Sequence, residues 1–216
     1  MSEQATVVVR GEALREVPPE LATLSVTVAA RETDRETALE RLTERAAELR
    51  SHLDDFDAAI ERRETGGVQI HPEVKRGKVV AYQGTVTTTV TVTDFGALGE
   101  LLLRVGRLES VSVSGPWWQL RRGSRAGADV RAEAIADALQ RAEEYAAAVG
   151  ARVDRLIEIA DEGTGGVQPM MHRGMAFAAK AESADLELEL DPAMQTVQAS
   201  VVVRVAITEP TAVHGA

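Results

Sequence analysis

From Leu21 to Ala30 the chain alternates without a break: Ala22, Leu24, Val26 and Val28 fall on one side, Thr23, Ser25 and Thr27 on the other. Successive side chains of a strand point to opposite faces, so this stretch predicts a strand with one face in a core and one toward water. The Pro18-Pro19 pair separates it from an earlier short apolar strand, Ala5 to Arg10. The same alternation returns in VVAYQGTVTTTVTVT, where Val86, Thr88, Val90 and Val92 share one face and Thr85, Thr87, Thr89, Thr91 and Thr93 the other. β-Branched residues suit a pleated surface. The threonine row reads as the wet outer face of a sheet, with a pore lining or a regular stacking array as alternatives. Ahead of it, Arg76-Gly77-Lys78 reads as a hairpin turn that returns a strand running through Val68, Ile70 and Val74.

Elsewhere the period lengthens. Leu39, Leu42, Ala46, Leu49 and Leu53 recur at spacings of three and four, which predicts a helix over 33–53 capped by Thr33 or Asp34. Asp94 can cap a short helix carrying Leu98, Leu101, Leu102 and Val105, followed by a strand over 111–120. A long helix is predicted over 128–149. Its inner stripe is Ile135, Ala138, Leu139, Ala142, Tyr145, Ala146 and Val149, and Gly150 is its stop. Strands follow over 152–160 and 196–208, the latter with Val197, Ala199, Val201, Val203, Val205 and Ile207 facing one way. Residues 161–193, rich in Gly, Met, Ala and acid, read as a mobile loop insertion, with LELEL (186–190) as an edge-strand candidate. The order β-β-α-β-β-α-β-α-β-β, with short turns and hydroxyl-rich strand faces, predicts an α+β fold: mostly antiparallel sheet with helices packed on one face. A single domain is expected, with its core over 5–160 and 194–208.

Composition narrows the chemistry. The 216 residues are 44% hydrophobic, enough for a sizeable core. There is no cysteine, which excludes disulfides, thiolate catalysis, iron–sulfur clusters and cysteine zinc sites. A net charge of -10 argues against broad polyanion binding, nucleic acid included. No apolar run is long enough for a membrane helix, and the N-terminal stretch lacks the basic and apolar regions of a signal peptide, so a cytoplasmic protein is expected.

Four segments, in order, resemble the SIMPL-domain family: VVVRGEALREVPPELATLSVTV, TGGVQIHPEVKRGKVVAYQGTVTTTVTVTDFGALGELL, DVRAEAIADALQRAEEYAAAVGARVDRLIEI and VQASVVVRVAI. The opening Gly-Glu, the Asp-started helix after the hairpin, the alanine-rich helix with its glycine stop and the closing alternating strand carry the likeness. Glu20, Gln83, Gly84 and Arg141 depart from the family's usual residues. The resemblance implies an α+β protein that assembles into rings or larger oligomers. It also implies links to stress tolerance or signalling, and no accepted catalytic residues. Many members are periplasmic, and the expected lack of a signal peptide sets this chain apart from them.

No residue pattern points to catalysis: GxSxG, HExxH and a phosphate-cradling glycine loop are all missing from the sequence. Neither a cofactor nor a metal is expected. His52, His71, His172 and His214 lie far apart without metal-ligand spacing, and Glu40, Arg41, Glu44 and Arg45 read as a solvated helix face. Met170, Met171 and Met175 with His172 make the one soft-ligand cluster, which reads as an adaptable contact surface. Both tryptophans stand in GPWWQLRR. Continuing the phase of Val111 and Val113 sends Trp117 into the core and Trp118 outside, and a bulge at Gly115-Pro116 would reverse them.

These features predict a non-enzymatic protein that self-associates and binds an unknown protein partner. Its candidate contacts are Trp118, Arg121, Arg122, Thr87, Thr89, Thr91, Met170, Met171 and Met175. The alternative is a small-ligand or single-stranded nucleic-acid module centred on 117–125, where indoles and guanidiniums meet.

Overall fold

The computed structural model describes residues 4–161 and 187–211. Along the chain run β1 (Thr6–Val17), β2 (Leu21–Glu32), α1 (Arg35–Asp54), β3 (Ile60–Lys75), β4 (Lys78–Val92), α2 (Phe95–Gly106), β5 (Val111–Gln119), α3 (Ala126–Ala148), β6 (Val153–Asp161) and β7 (Gln195–Ile207). The strands form two antiparallel sheets, ordered β3-β4-β2-β5 and β1-β7-β6. The fold is α+β, with the predicted element order. Two compact units result. One holds β2 to β5 with α1 and α2, and the other holds β1, β6 and β7 with α3.

In the four-stranded unit, helices bring large side chains to the sheet. Leu42, Leu49 and Leu53 of α1 and Leu98, Leu101 and Val105 of α2 bury against Leu24, Val26 and Val28 of β2 and Val90 and Val92 of β4. Each such side chain contributes on the order of 2 kcal/mol by leaving water. Of the two caps offered for α1, the chain uses Asp34, whose Oδ2 accepts from the backbone N–H of Glu36 at 2.8 Å and of Thr37 at 3.0 Å. Those bonds hold the Asp34 carboxyl below the ordinary aspartate range. Leu39 is exposed, contrary to its expected place on the inner stripe, and Ala38 is buried instead. The buried residue is the smaller of the two, one position nearer the helix start and one turn before Leu42.

The three-stranded unit is built on small residues. Val130, Ala134, Ala138, Ala142 and Ala146 form the buried stripe of α3, against Val9 of β1 and the Val197 to Ile207 face of β7. Contact is closest at Gly11, where an added Cβ would lie 2.6 Å from the Ala138 backbone N and run into the Ala134 carbonyl. Glycine is required there because helix backbone occupies the space of a side chain. Next to it, the Glu12 N–H donates to Asp137 Oδ2 at 3.0 Å, tying the strand to the helix. Tyr145, expected on the inner stripe, is 61% exposed. A uniform spacing of four selects the alanines, since only they let α3 descend onto Gly11, and Tyr145 is turned outward. Gly150 ends the helix with φ of 71°.

The expected edge strand at LELEL does not form within its described residues. Residues 187–190 run along α2, with the Leu188 carbonyl against Gly99 and Leu190 packed on the core. Met170, Met171, His172 and Met175 lie outside the described residues.

Candidate functional site

The antiparallel register of β5, β2, β4 and β3 builds one surface. Thr27 stands opposite Ser112 on one side and Thr87 on the other; Ser25 opposite Ser114 and Thr89; Thr23 opposite Trp117 and Thr91. Directly opposed residues share a face, so three rows of hydroxyls cross the sheet. On β3, Arg62 continues the row of Thr91 and Glu64 the row of Thr89. Thr27 and Thr87 share a hydroxyl hydrogen bond of 3.0 Å, Ser112 Oγ donates to the Thr27 carbonyl at 3.5 Å, and Arg62 pairs with Glu64 at 3.4 Å.

The hydroxyl rows are less wet than the alternation predicts. Thr23, Ser25, Thr27, Thr87 and Thr89 are half-buried, and Thr91 is buried. Threonines packed shoulder to shoulder on the central strands shield one another, which a single-strand pattern does not register. Candidate residues Thr87, Thr89 and Thr91 are thus brought together, with Thr91 as floor rather than contact.

The tryptophans have changed sides. Two residues, Gly115 and Pro116, oppose Leu24 between the pairs Ser25↔Ser114 and Thr23↔Trp117, and this bulge reverses the phase. Gly115 has φ of 112°, and an added Cβ would sit 2.8 Å from the Thr23 carbonyl, so the bulge depends on glycine. Trp118 turns inward, with its ring edge-on to Phe95 at 4.9 Å, and Trp117 is 48% exposed on the hydroxyl face. An aromatic platform and the hydroxyl rows therefore occupy the same surface. Trp118, expected outside, is instead half-buried against the core of the four-stranded unit. Arg121 and Arg122 are exposed just past the end of β5, in residues that belong to the three-stranded unit.

A second surface was missed by the sequence reading. α3 lies over β1 and β7 and only grazes β6, which has no further strand neighbour among the described residues. A register shift at Ile157 puts Leu156 and Ile159 opposite Val205 and Val203, on the helix side of the sheet but beyond the helix. Leu156, Ile157 and Ile159 are each 42–48% exposed on this unpaired edge. The signal was legible as LIEI, a strand with too few polar positions for an edge.

The charged helix face is also more ordered than expected. Arg45 donates to the Ala29 carbonyl at 2.7 Å, and Arg41 pairs with Glu44 at 3.3 Å. Among the described residues no group of three His, Asp or Glu side chains is placed to hold a metal ion, and no helix is long and apolar enough to cross a membrane. His71 is exposed near the end of β3, and His52 lies in the last turn of α1. Among the described residues the most perturbed carboxyl is Glu73. Its hydrogen bonds with the Arg31 guanidinium at 2.7 Å and the Lys75 ammonium at 2.9 Å lower its pKa to about 2.

Compared with known families, residues 7–205 match the SIMPL family model, described as a protein of unknown function (DUF541). No curated protein matches the chain.

Proposed function

The chain belongs to the SIMPL family, and on that premise we propose that it acts by contact rather than chemistry, associating with itself and with a protein partner. The observation that carries this reading is the edge of β6. Leu156, Ile157 and Ile159 stand exposed on a strand whose outer N–H and C=O groups have no strand partner among the described residues. Such an edge is a template for another chain. Two copies joined edge to edge about a twofold axis would make one six-stranded sheet and bury these side chains. A contact protein of this kind suits the stress- or signalling-related roles that the family resemblance implies. Multi-angle light scattering across a wide concentration range tests it. Association should be visible and should be weakened by Ile157→Lys, which puts a charge on the edge; a strict monomer at every concentration overturns the reading.

A second reading has its own observation: Trp117 lies exposed on the hydroxyl face. An indole beside Thr23, in a row that Thr91 and Arg62 continue across the sheet, offers stacking with hydroxyls nearby to a small polar ligand or a nucleic-acid base. In a Trp118→Phe background the fluorescence reports Trp117 alone. Quenching or a shift on titration with oligonucleotides or metabolites would favour this reading, and an unchanged spectrum removes it.

A further inference from the structure

The β3–β4 hairpin outruns its sheet. β2 ends opposite β4 at the pair Glu32↔Tyr82, while β3 and β4 continue to Lys75↔Lys78, closed by Arg76 and Gly77 at positive φ of 52° and 76°. Both central turn residues at positive φ match the two-residue turns that fit strand twist. The ribbon beyond β2 is two-sided. Val74 opposes Val79 on one face, Lys75 opposes Lys78 on the other, and Val80 is the extra residue of a bulge. Val74 is 57% exposed and Val79 51%, with Val80 also exposed.

Neither face suits bulk water alone. Val74 and Val79, at the tip of a two-stranded ribbon, leave apolar surface in water, and like charges directly opposed across strands repel. Lys75, Arg76 and Lys78 place three cations within four residues of a chain whose net charge is -10. The nearest acid, Glu73, is already engaged by Arg31 at 2.7 Å as well as by Lys75 at 2.9 Å. The apolar edge of β6 intersperses its Leu and Ile with Asp154, Glu158 and Asp161 against a single Arg155, so an anionic surface would repel it.

We propose that this hairpin tip, residues 74–80, docks on the surface of an anionic lipid bilayer. The valines enter the boundary between headgroups and acyl chains, and the lysine stems reach back so that their ammonium groups, with the Arg76 guanidinium, meet lipid phosphates. A nucleic acid or an acidic protein would also attract the cations, but neither accounts for the paired valines beside them. Each basic residue near such a surface strengthens binding about fivefold, so three give on the order of a hundredfold. The attraction fades with salt as the Debye length shortens.

The full-length chain should co-sediment with large vesicles of equimolar phosphatidylglycerol and phosphatidylcholine at low salt, lose most of that binding at high salt, and ignore vesicles of phosphatidylcholine alone. Lys75→Glu with Lys78→Glu should abolish the binding. Val74→Ser with Val79→Ser should weaken it several-fold while leaving the salt dependence unchanged. Both pairs lie on an exposed ribbon, and circular dichroism should show the fold intact. Absence of binding to the anionic vesicles at low salt, or equal binding to neutral ones, overturns the proposal. So does binding to an oligonucleotide or a polyglutamate that needs the lysines and is indifferent to the valine changes, if the vesicles show the same indifference.

Discussion

The two units solve the same packing problem with opposite side chains. Where α1 and α2 cover the four-stranded sheet, leucines fill the space between helix and strand: Leu42, Leu49, Leu53, Leu98 and Leu101. Where α3 covers the three-stranded sheet there is almost no space to fill. Ala134, Ala138, Ala142 and Ala146 let the helix backbone rest on the strand at Gly11. A leucine interface draws its stability from the area its side chains remove from water, so it is damaged by truncation. The alanine interface rests on close backbone approach, so added volume damages it. Among the described residues α3 lies over β1 and β7 and only grazes β6.

Adding volume at the closest approach should have the largest effect. In Gly11→Val the new side chain meets the Ala134 carbonyl, a backbone atom that cannot rotate away, and we expect a loss of about 3 kcal/mol or more in denaturant unfolding. If Gly11→Val is tolerated, the two interfaces do not differ as described. Leu98→Ala, at a fully buried site of the leucine interface, should cost about 3 kcal/mol by the same measurement. Ala138→Gly sharpens the contrast. It removes a buried methyl from the alanine interface and should cost only about 1 kcal/mol, chiefly helix propensity, well below the leucine truncation.

The smallest effect concerns charge at the base of the hairpin ribbon. The Glu73 carboxyl titrates at about 2 in the folded chain against an ordinary value of 4.5. A depressed carboxyl contributes stability at pH above 4.5 that is lost as pH falls toward 2. The half-buried group sits near the hairpin end with its charge partners exposed, so the change in unfolding midpoint should be slight. It is better read by NMR: Arg31→Gln should return the Glu73 midpoint toward the ordinary glutamate range. An unmoved midpoint would show that the Arg31 bond is not what holds it down.

Periodicity made most of the fold legible. The strand through Ala22, Leu24, Val26 and Val28 buries the residues its alternation names, and Val197 to Ile207 does the same. Asp34 and Asp94 both cap helices, since a short acceptor side chain before an apolar run has few other uses. Errors arose where hydrophobic contrast was weak. In α3 the spacing places Tyr145 on the inner stripe with Ala138, Ala142 and Ala146, whereas the structure buries Val130 and the alanines and leaves Tyr145 exposed. Alanines occur on more than one side of that helix, so the buried face is chosen by the surface it meets. The hydroxyl rows were legible one strand at a time, but their alignment with Trp117 was not, because it needs the pairing of three strands.

The sequence by itself determined the element order, the α+β class, the family and which strand faces are apolar, because alternation, caps and turn residues act between near neighbours. Only the tertiary structure decided which tryptophan faces outward, which stripe of α3 is buried, and that β6 and the hairpin tip carry apolar side chains exposed among the described residues. Those outcomes depend on a bulge whose register is set by the partner strand, on the clearance above Gly11 and on where a covering helix or strand ends. Each is a relation between residues far apart in the chain, which local spacing does not encode.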